Sequence, residues 1–199
     1  MHRTIVIVFS TLDGFIQDPD GRGGTPNGGW MFRHGPEAVT GDKFRLGPLF
    51  ETGVLLLGRK TWELFAGIWP NRSDDFSRSM NRIGKLVASR TQADFSGWQN
   101  SSRIEGELFE AIEKQKASSD VIITGSASVV HELMKRDRVD EYRILILPTI
   151  LGAGTRLFED GVAPRDLQLV SVEKSGAGAL LRYERPRAAD PDWGVKRAS

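Results

Sequence analysis

The stretch Val54–Glu63, VLLLGRKTWE, constrains the fold more than any other part of the chain. Apolar residues run straight into Gly58, and Arg59, Lys60, Thr61 and Trp62 then open a helical pattern. An unalternating apolar run of this length reads as a strand buried on both faces, as in the middle of an α/β sheet. Open sheets of that kind take their ligands at the carboxyl ends of the strands, where Gly58, Arg59 and Thr61 fall. A glycine lets a ligand approach the backbone, and a guanidinium offers phosphate a planar fork of donors. A hydroxyl at a helix start lies beside free N–H groups. The same residues would serve equally in an ordinary strand–turn–helix corner with Arg59 and Lys60 in solvent.

The rest of the chain repeats this alternation. Thr4–Phe9 is β-branched and apolar and predicts a central strand, followed by an Asp13-Gly14 turn. Asp18–Gly29, DPDGRGGTPNGG, is a long loop, and Trp30, Met31 and Phe32 after it either cover a pocket or anchor the loop to the core. Glu37–Thr52 reads as a helix weakened by Gly41, Gly47 and Pro48. A short helix over Thr61–Ala66 and a polar one over Ser73–Asn81, capped by Ser73, follow. Lys85–Ala88 and Trp98–Ser101 predict short strands, and Gly106–Lys116 an amphipathic helix turning Leu108, Phe109 and Ile112 inward. Asp120–Thr124 is a strand, and Gly125 opens a helix reaching about Lys135. Val139–Leu147 is a buried strand, Pro148–Phe158 a glycine-containing loop, and Leu167–Lys174 with Gly178–Glu184 a closing hairpin. The fold expected is α/β, with a mostly parallel central sheet and an antiparallel C-terminal hairpin, over residues 1–186. Residues 187–199 turn polar and read as a tail, on which Trp193 is the one residue suited to docking.

Composition excludes several classes. The net charge is +1, so no global field argues for nucleic acid or a membrane surface. With no cysteine there is no disulfide, thiolate catalysis or cysteine-bound metal, which fits a cytoplasmic protein. No apolar run approaches the roughly 18 residues of a membrane span. The start, MHRTIVIVF, enters a strand at once and does not read as a signal peptide.

Three strand ends carry small or phosphate-friendly residues: Gly58-Arg59-Lys60-Thr61, Ser89-Arg90-Thr91 and Gly125-Ser126-Ala127-Ser128. Together they suggest a phosphate-rich ligand laid along one sheet edge. At the third, a glycine and small residues expose N–H groups beside the positive end of a helix dipole; a tight turn with Ser126 as N-cap reads the same way. Neither a P-loop nor the dinucleotide fingerprint G-x-G-x-x-G is present, and no G-x-S-x-G supports Ser126 as a hydrolase nucleophile. His2, His34 and His131 show no metal spacing. Asp13 is a candidate acid near the first strand end, or a turn-forming aspartate.

S-T-L-D-G-F-I, L-L-L-G-R-K-T-W-E, S-R-T, T-G-S-A-S-V-V and L-G-A-G-T-R-L-F occur in this order. In that series the chain resembles the dihydrofolate reductase superfamily over about Arg3 to Glu184. The closer resemblance is to the C-terminal reductase domain of the bacterial bifunctional riboflavin biosynthesis protein. The resemblance implies the three-layer dihydrofolate reductase-like fold, NADPH as hydride donor and a small-molecule substrate. It places Gly58, Arg59 and Thr61 at the cofactor phosphates, and Ser89 and Arg90 at the adenosine 2′-phosphate. Gly125, Ser126, Ala127 and Ser128 fall under the pyrophosphate, with Ser126 where the family has a second glycine. Phe9 and Ile16 fall at the nicotinamide pocket. Asp42 lies on the segment that carries the acid of folate reductases, although their M-P-W-x-x-P-x-D context is missing; a solvated charge is the other reading. The resemblance also makes a homodimer plausible. The expected activity is reduction of a heteroaromatic, imine or carbonyl substrate, as by the aminouracil reductase of riboflavin biosynthesis. The alternatives are a non-catalytic nucleotide-binding or assembly module and, more weakly, a hydrolase using Ser126.

Overall fold

The computed structural model describes residues 2–91 and 94–186; the expected tail and Trp193 lie outside them. The strands are β1 (Thr4–Thr11), β2 (Val54–Gly58), β3 (Gly84–Ala88), β4 (Ser101–Arg103), β5 (Val121–Ile123), β6 (Glu141–Leu147), β7 (Gln168–Ser175) and β8 (Gly178–Glu184). They form one sheet in the order β4-β3-β2-β5-β1-β6-β8-β7. β1 through β6 run parallel, while β8 pairs antiparallel with β6 and with β7. The helices are α1 (Leu49–Thr52), α2 (Arg59–Ala66), α3 (Asp75–Arg82), α4 (Leu108–Lys116) and α5 (Ala127–Lys135).

The layers follow from the apolar runs. Leu55, Leu56 and Leu57 are all fully buried although successive strand residues point to opposite faces. Leu55 and Leu57 join a core with Phe50 of α1, Trp62 of α2 and Met80 of α3. Leu56 joins the other core, with Ile112 of α4 and Val129, Val130 and Leu133 of α5. Each such leucine contributes about 1.5–3 kcal/mol of burial. A third, small cluster seats Trp30 against Ala38 and Leu147. Trp30 therefore anchors the long loop, and its indole N–H donates to the Gln17 carbonyl at 2.8 Å.

Two helices differ from expectation. Glu37–Thr52 is not one helix: it gives a 3₁₀ turn over Pro36–Ala38, irregular backbone, and then α1. Gly41 and Gly47 take positive φ, and so does Arg45. The Asp42 carboxylate accepts the N–H groups of Leu46 and Gly47, both at 2.8 Å, and closes a loop where a helix would need those donors elsewhere. The cap of α3 is Asp74, not Ser73; it accepts from the Ser77 N–H at 3.0 Å and the Ser77 hydroxyl at 2.6 Å.

On the far side of α3, Lys85 is 1% exposed. Its ammonium donates to the carbonyls of Asn81 (2.7 Å) and Gln99 (3.0 Å) and sits 4.3 Å from the Trp98 ring centre. Burial pushes its pKa from 10.5 down to about 8. Between those values the unfolded chain binds this proton and the native state releases it, so stability rises with pH. Wild type should therefore gain stability over Lys85→Met from pH 8 to pH 10.5, read from urea midpoints. Parallel pH profiles for the two proteins would refute this.

Candidate functional site

β2 and β5 are neighbours, and their carboxyl ends are in contact. The Gly58 N–H donates to the Gly125 carbonyl at 3.1 Å. A Cβ built on Gly58 would lie 2.3 Å from the Ser126 hydroxyl oxygen and 3.0 Å from its nitrogen; one built on Gly125 would lie 3.0 Å from the Thr61 hydroxyl. The glycines of both motifs are thus explained first by how closely two turns pack.

This contact sets two helix N-termini side by side. α2 starts after Gly58 and α5 after Ser126, and neither has a side-chain cap. The N–H groups of a first helical turn have no intrahelical acceptor, and both dipoles add positive potential there. The hydroxyls of Ser126 and Ser128 are 2.8 Å apart. A cleft of about 1100 Å³ opens over this edge. Its polar end is lined by Lys60, Thr61 and Gly125–Ser128, and its floor by Ile7, Phe9, Phe44 and Leu55. The other end is walled by Leu64, Phe65, Ile68, Trp69, Phe76 and Met80.

The roof is the glycine-rich loop. The Asp18 carboxylate accepts from the N–H groups of Gly23 (2.7 Å) and Thr25 (2.9 Å) and from the Thr25 hydroxyl (2.8 Å). Burial pushes its pKa up, and these donors outweigh that and hold it below the ordinary value. A Cβ on Gly28 would lie 2.3 Å from the same carboxylate, so the loop closes as a ring around one anion. Gln17, Asp18, Pro19, Asp20, Arg22, Gly23, Thr25, Met31 and Phe32 all face the cleft from this side. Met31 and Phe32 thus cover the pocket while Trp30 anchors the loop.

Of the residues singled out in the sequence, Phe9, Ile16, Thr61, Gly125, Ser126, Ala127 and Ser128 meet in the cleft. Gly58 lies directly behind them, against Ser126. Arg59, Ser89 and Arg90 do not line it. Gly58 and Ala88 are in register, which places Arg59 and Ser89 at adjacent strand ends. Arg59 pairs with Glu63 at 2.6 Å across one exposed helical turn. The Ser89 hydroxyl donates to the Thr91 carbonyl at 2.8 Å, and Arg90 is exposed.

The two candidate acids are absent from the cleft lining. Asp42 is held by its own loop, as described above. Asp13 accepts from the Thr11 hydroxyl at 2.6 Å and from the N–H groups of Leu151 and Gly152 at 3.0 and 2.8 Å. Burial raises its pKa, and these donors bring the balance below the ordinary value, so it is an ionised clamp on the Pro148–Phe158 loop. Ser126 has no histidine partner. His131 uses Nε2 on the Arg156 carbonyl and Nδ1 on Glu159, both at 2.9 Å, and His34 is 2.7 Å from the Thr149 hydroxyl.

Sequence reasoning missed the cleft cations Lys43 and Arg72 and the aromatic end wall. A signal was present: Phe44, Phe50, Trp62, Phe65, Trp69 and Phe76 crowd about thirty residues, a density suited to a wall as well as a core.

Residues 3–181 match the family described as the RibD C-terminal domain. The chain belongs to that family. Among curated proteins it is similar to two from Bacillus subtilis (strain 168). It is 25% identical to YwjB, over 92% of this chain and 98% of that protein. It is 28% identical to YyaP, over 89% and 92%. Both bear the description uncharacterized protein. Among solved structures, a putative riboflavin biosynthesis protein from Shewanella sp. PV-4 superposes with a TM-score of 0.72 at 21% identity, covering 93% of this chain and 99% of that one. A pyrimidine reductase-like protein from Corynebacterium diphtheriae gives 0.60 at 15%, covering 94% and 92%. RibD from Acinetobacter baumannii gives 0.60 at 16%, covering 92% of this chain and 58% of that one. These likenesses establish the three-layer fold of the RibD C-terminal family, with its mostly parallel sheet and antiparallel hairpin.

The Gly58 contact is directly testable. Gly58→Ala should cost about 1–3 kcal/mol, because backbone as well as a hydroxyl must move. Ser126→Gly should restore part of that loss in the double variant, by a denaturant double-mutant cycle. Additive effects would mean that the two turns are not in contact.

Proposed function

We propose that the protein is an NADPH-dependent reductase of a small planar acceptor, similar in reaction type to the aminouracil reductase of riboflavin biosynthesis. The observation that carries this is the pair of uncapped helix N-termini, α2 and α5, opening side by side into one long cleft. Their N–H groups, with the hydroxyls of Thr61, Ser126 and Ser128, suit the two phosphates of a dinucleotide. Lys60 adds a point charge at the same end. Arg59 and Arg90, at adjacent strand ends, suit a 2′-phosphate. The exposed Arg59–Glu63 pair is worth only about 0.3–0.5 kcal/mol, so a phosphate competes easily for that guanidinium.

NADPH would supply a hydride. The chain's own part is to orient nicotinamide beside Phe9 and Ile16, and to keep water off the reacting face beneath the Asp18 loop. Family membership supports a reductase. A second reading, a nucleotide-binding module without turnover, is favoured by one observation: the carboxylates of Asp13 and Asp42 are both occupied by backbone donors.

Titration of the protein with NADPH, followed by fluorescence, should saturate at micromolar cofactor. Arg59→Ala should weaken NADPH about tenfold, a typical loss for one charge-assisted contact, and NADH much less. Equal weakening would remove the 2′-phosphate role. NADPH binding without turnover on any pterin, aminouracil or quinone would favour the binding module.

A further inference from the structure

The end of the cleft away from the paired helix N-termini is walled by aromatic rings. Phe65 and Phe76 stand edge-on to Trp69, with ring centres 5.8 and 5.5 Å away. Ile68 and Met80 complete the wall, and on the adjoining floor Phe44 packs edge-on against Phe9 at 5.0 Å. Rings and a thioether make a wall against which a flat apolar body can lie, and the wall itself offers ribose hydroxyls no partner. Among the described residues, the Trp69 indole N–H is buried and has no acceptor. A small turn of the indole would bring it to an acceptor oxygen on a ligand and relieve that unmet donor. At the rim stand Lys43 and Arg72, the latter 5.5 Å from the Trp69 ring centre, and they favour one negative charge on the guest.

Two of the carboxylates that line the cleft, Asp74 and Asp18, are poor proton donors. The Ser77 hydroxyl and N–H hold Asp74 below the ordinary carboxylate value, and the Thr25 and Gly23 donors do the same for Asp18 against the upward push of burial. Arg22 sits beside Asp20, with Nε 3.7 Å from its carboxylate. An imine or pteridine acceptor needs protonation as hydride arrives. A quinone does not, since its two-electron product is a stabilised phenolate.

We infer that the substrate is a planar, largely apolar conjugated carbonyl compound of the quinone class carrying one anionic group, lying against the wall made by Phe65, Trp69 and Phe76. This rests on the dinucleotide reading above for its reductant. The quinone takes one hydride, two electrons and a proton, from the reduced nicotinamide. The hydride forms an O–H bond at one carbonyl oxygen as its C=O π bond opens, the ring becomes aromatic, and the other carbonyl oxygen, left as phenolate, takes a proton from solvent water. The nicotinamide leaves oxidised.

Isothermal titration of the full chain with 2-hydroxy-1,4-naphthoquinone, with uridine 5′-monophosphate and separately with NADPH tests this. The naphthoquinone should bind saturably and the nucleotide monophosphate should not. Leu64→Glu, which puts a charge at the wall, should weaken the quinone about 100-fold. Trp69→Phe, which keeps the ring and removes the donor, should weaken it about five- to tenfold. Both variants should bind NADPH as wild type does, a control that also reports folding. With NADPH present, the quinone should be reduced at the expense of cofactor absorbance. Binding of the nucleotide monophosphate but not the quinone would overturn the substrate class and leave the dinucleotide reading standing. So would a Leu64→Glu variant that binds the quinone undiminished. Quinone binding with no NADPH binding would support the wall and overturn the dinucleotide reading.

Discussion

The close approach of Gly58 to Ser126 is the constraint on which the rest of this molecule depends. Two neighbouring parallel strands end at the same level, and the turns that leave them are so tight that a methyl group will not fit between. Both following helices therefore begin at the same place and point their free N–H groups the same way. α2 then carries Leu64 and Phe65 along one side of the cleft, so one strand end positions both the polar head and the apolar wall. A chain with a looser turn at residue 58 would keep its sheet and lose the alignment of the two ends.

Acidic residues around the cleft act as scaffolding. Asp13, Asp18, Asp42 and Asp74 each take two or more donors from nearby backbone or hydroxyl groups; the first three thereby shape irregular segments, and Asp74 caps α3. Arginine does the complementary work. The buried Glu141 carboxylate is shared by Arg3, Arg143 and Arg182. Arg143 reaches on to the carbonyls of Phe44 and Arg45. The loop that supplies the cleft floor is thus tied to β6 by a buried charge network, not by apolar packing alone. Removing Glu141 would strand the buried Arg143 in a dry interior, which is costlier than the pair is stabilising.

Legibility in the sequence followed the range of the forces involved. β1, β2 and β5 could be read because a strand buried on both faces leaves an unbroken apolar run, and β6 because Ile144–Leu147 forms such a run after the charged Glu141 and Arg143. α5 could be read because its Val129, Val130, Leu133 and Met134 recur at helical spacing, and the hairpin because a Gly-Ala-Gly turn separates two runs. Residues 37–52 could not, since their apolar residues suit a helix while Asp42 closes a local loop with the donors a helix would use. The α3 cap moved by one residue because Ser73 and Asp74 are both good caps, and only Asp74 is placed to take two donors from Ser77. The polar end of the cleft was legible because Gly58, Thr61 and Gly125–Ser128 lie at strand ends, each a local feature. The apolar end was not, because Phe44, Leu64, Trp69 and Phe76 come from a loop, a helix, a turn and a second helix that meet only in the folded chain.

The ring of backbone donors around Asp18 has an entropic meaning. A twelve-residue stretch with this many glycines would ordinarily lose considerable conformational entropy whenever a guest ordered it. Here that loss is incurred at folding, because the carboxylate, Thr25 and the seated Trp30 hold the roof in one shape before any guest arrives. A guest therefore meets a roof already in its final shape, and affinity is not spent on assembling it.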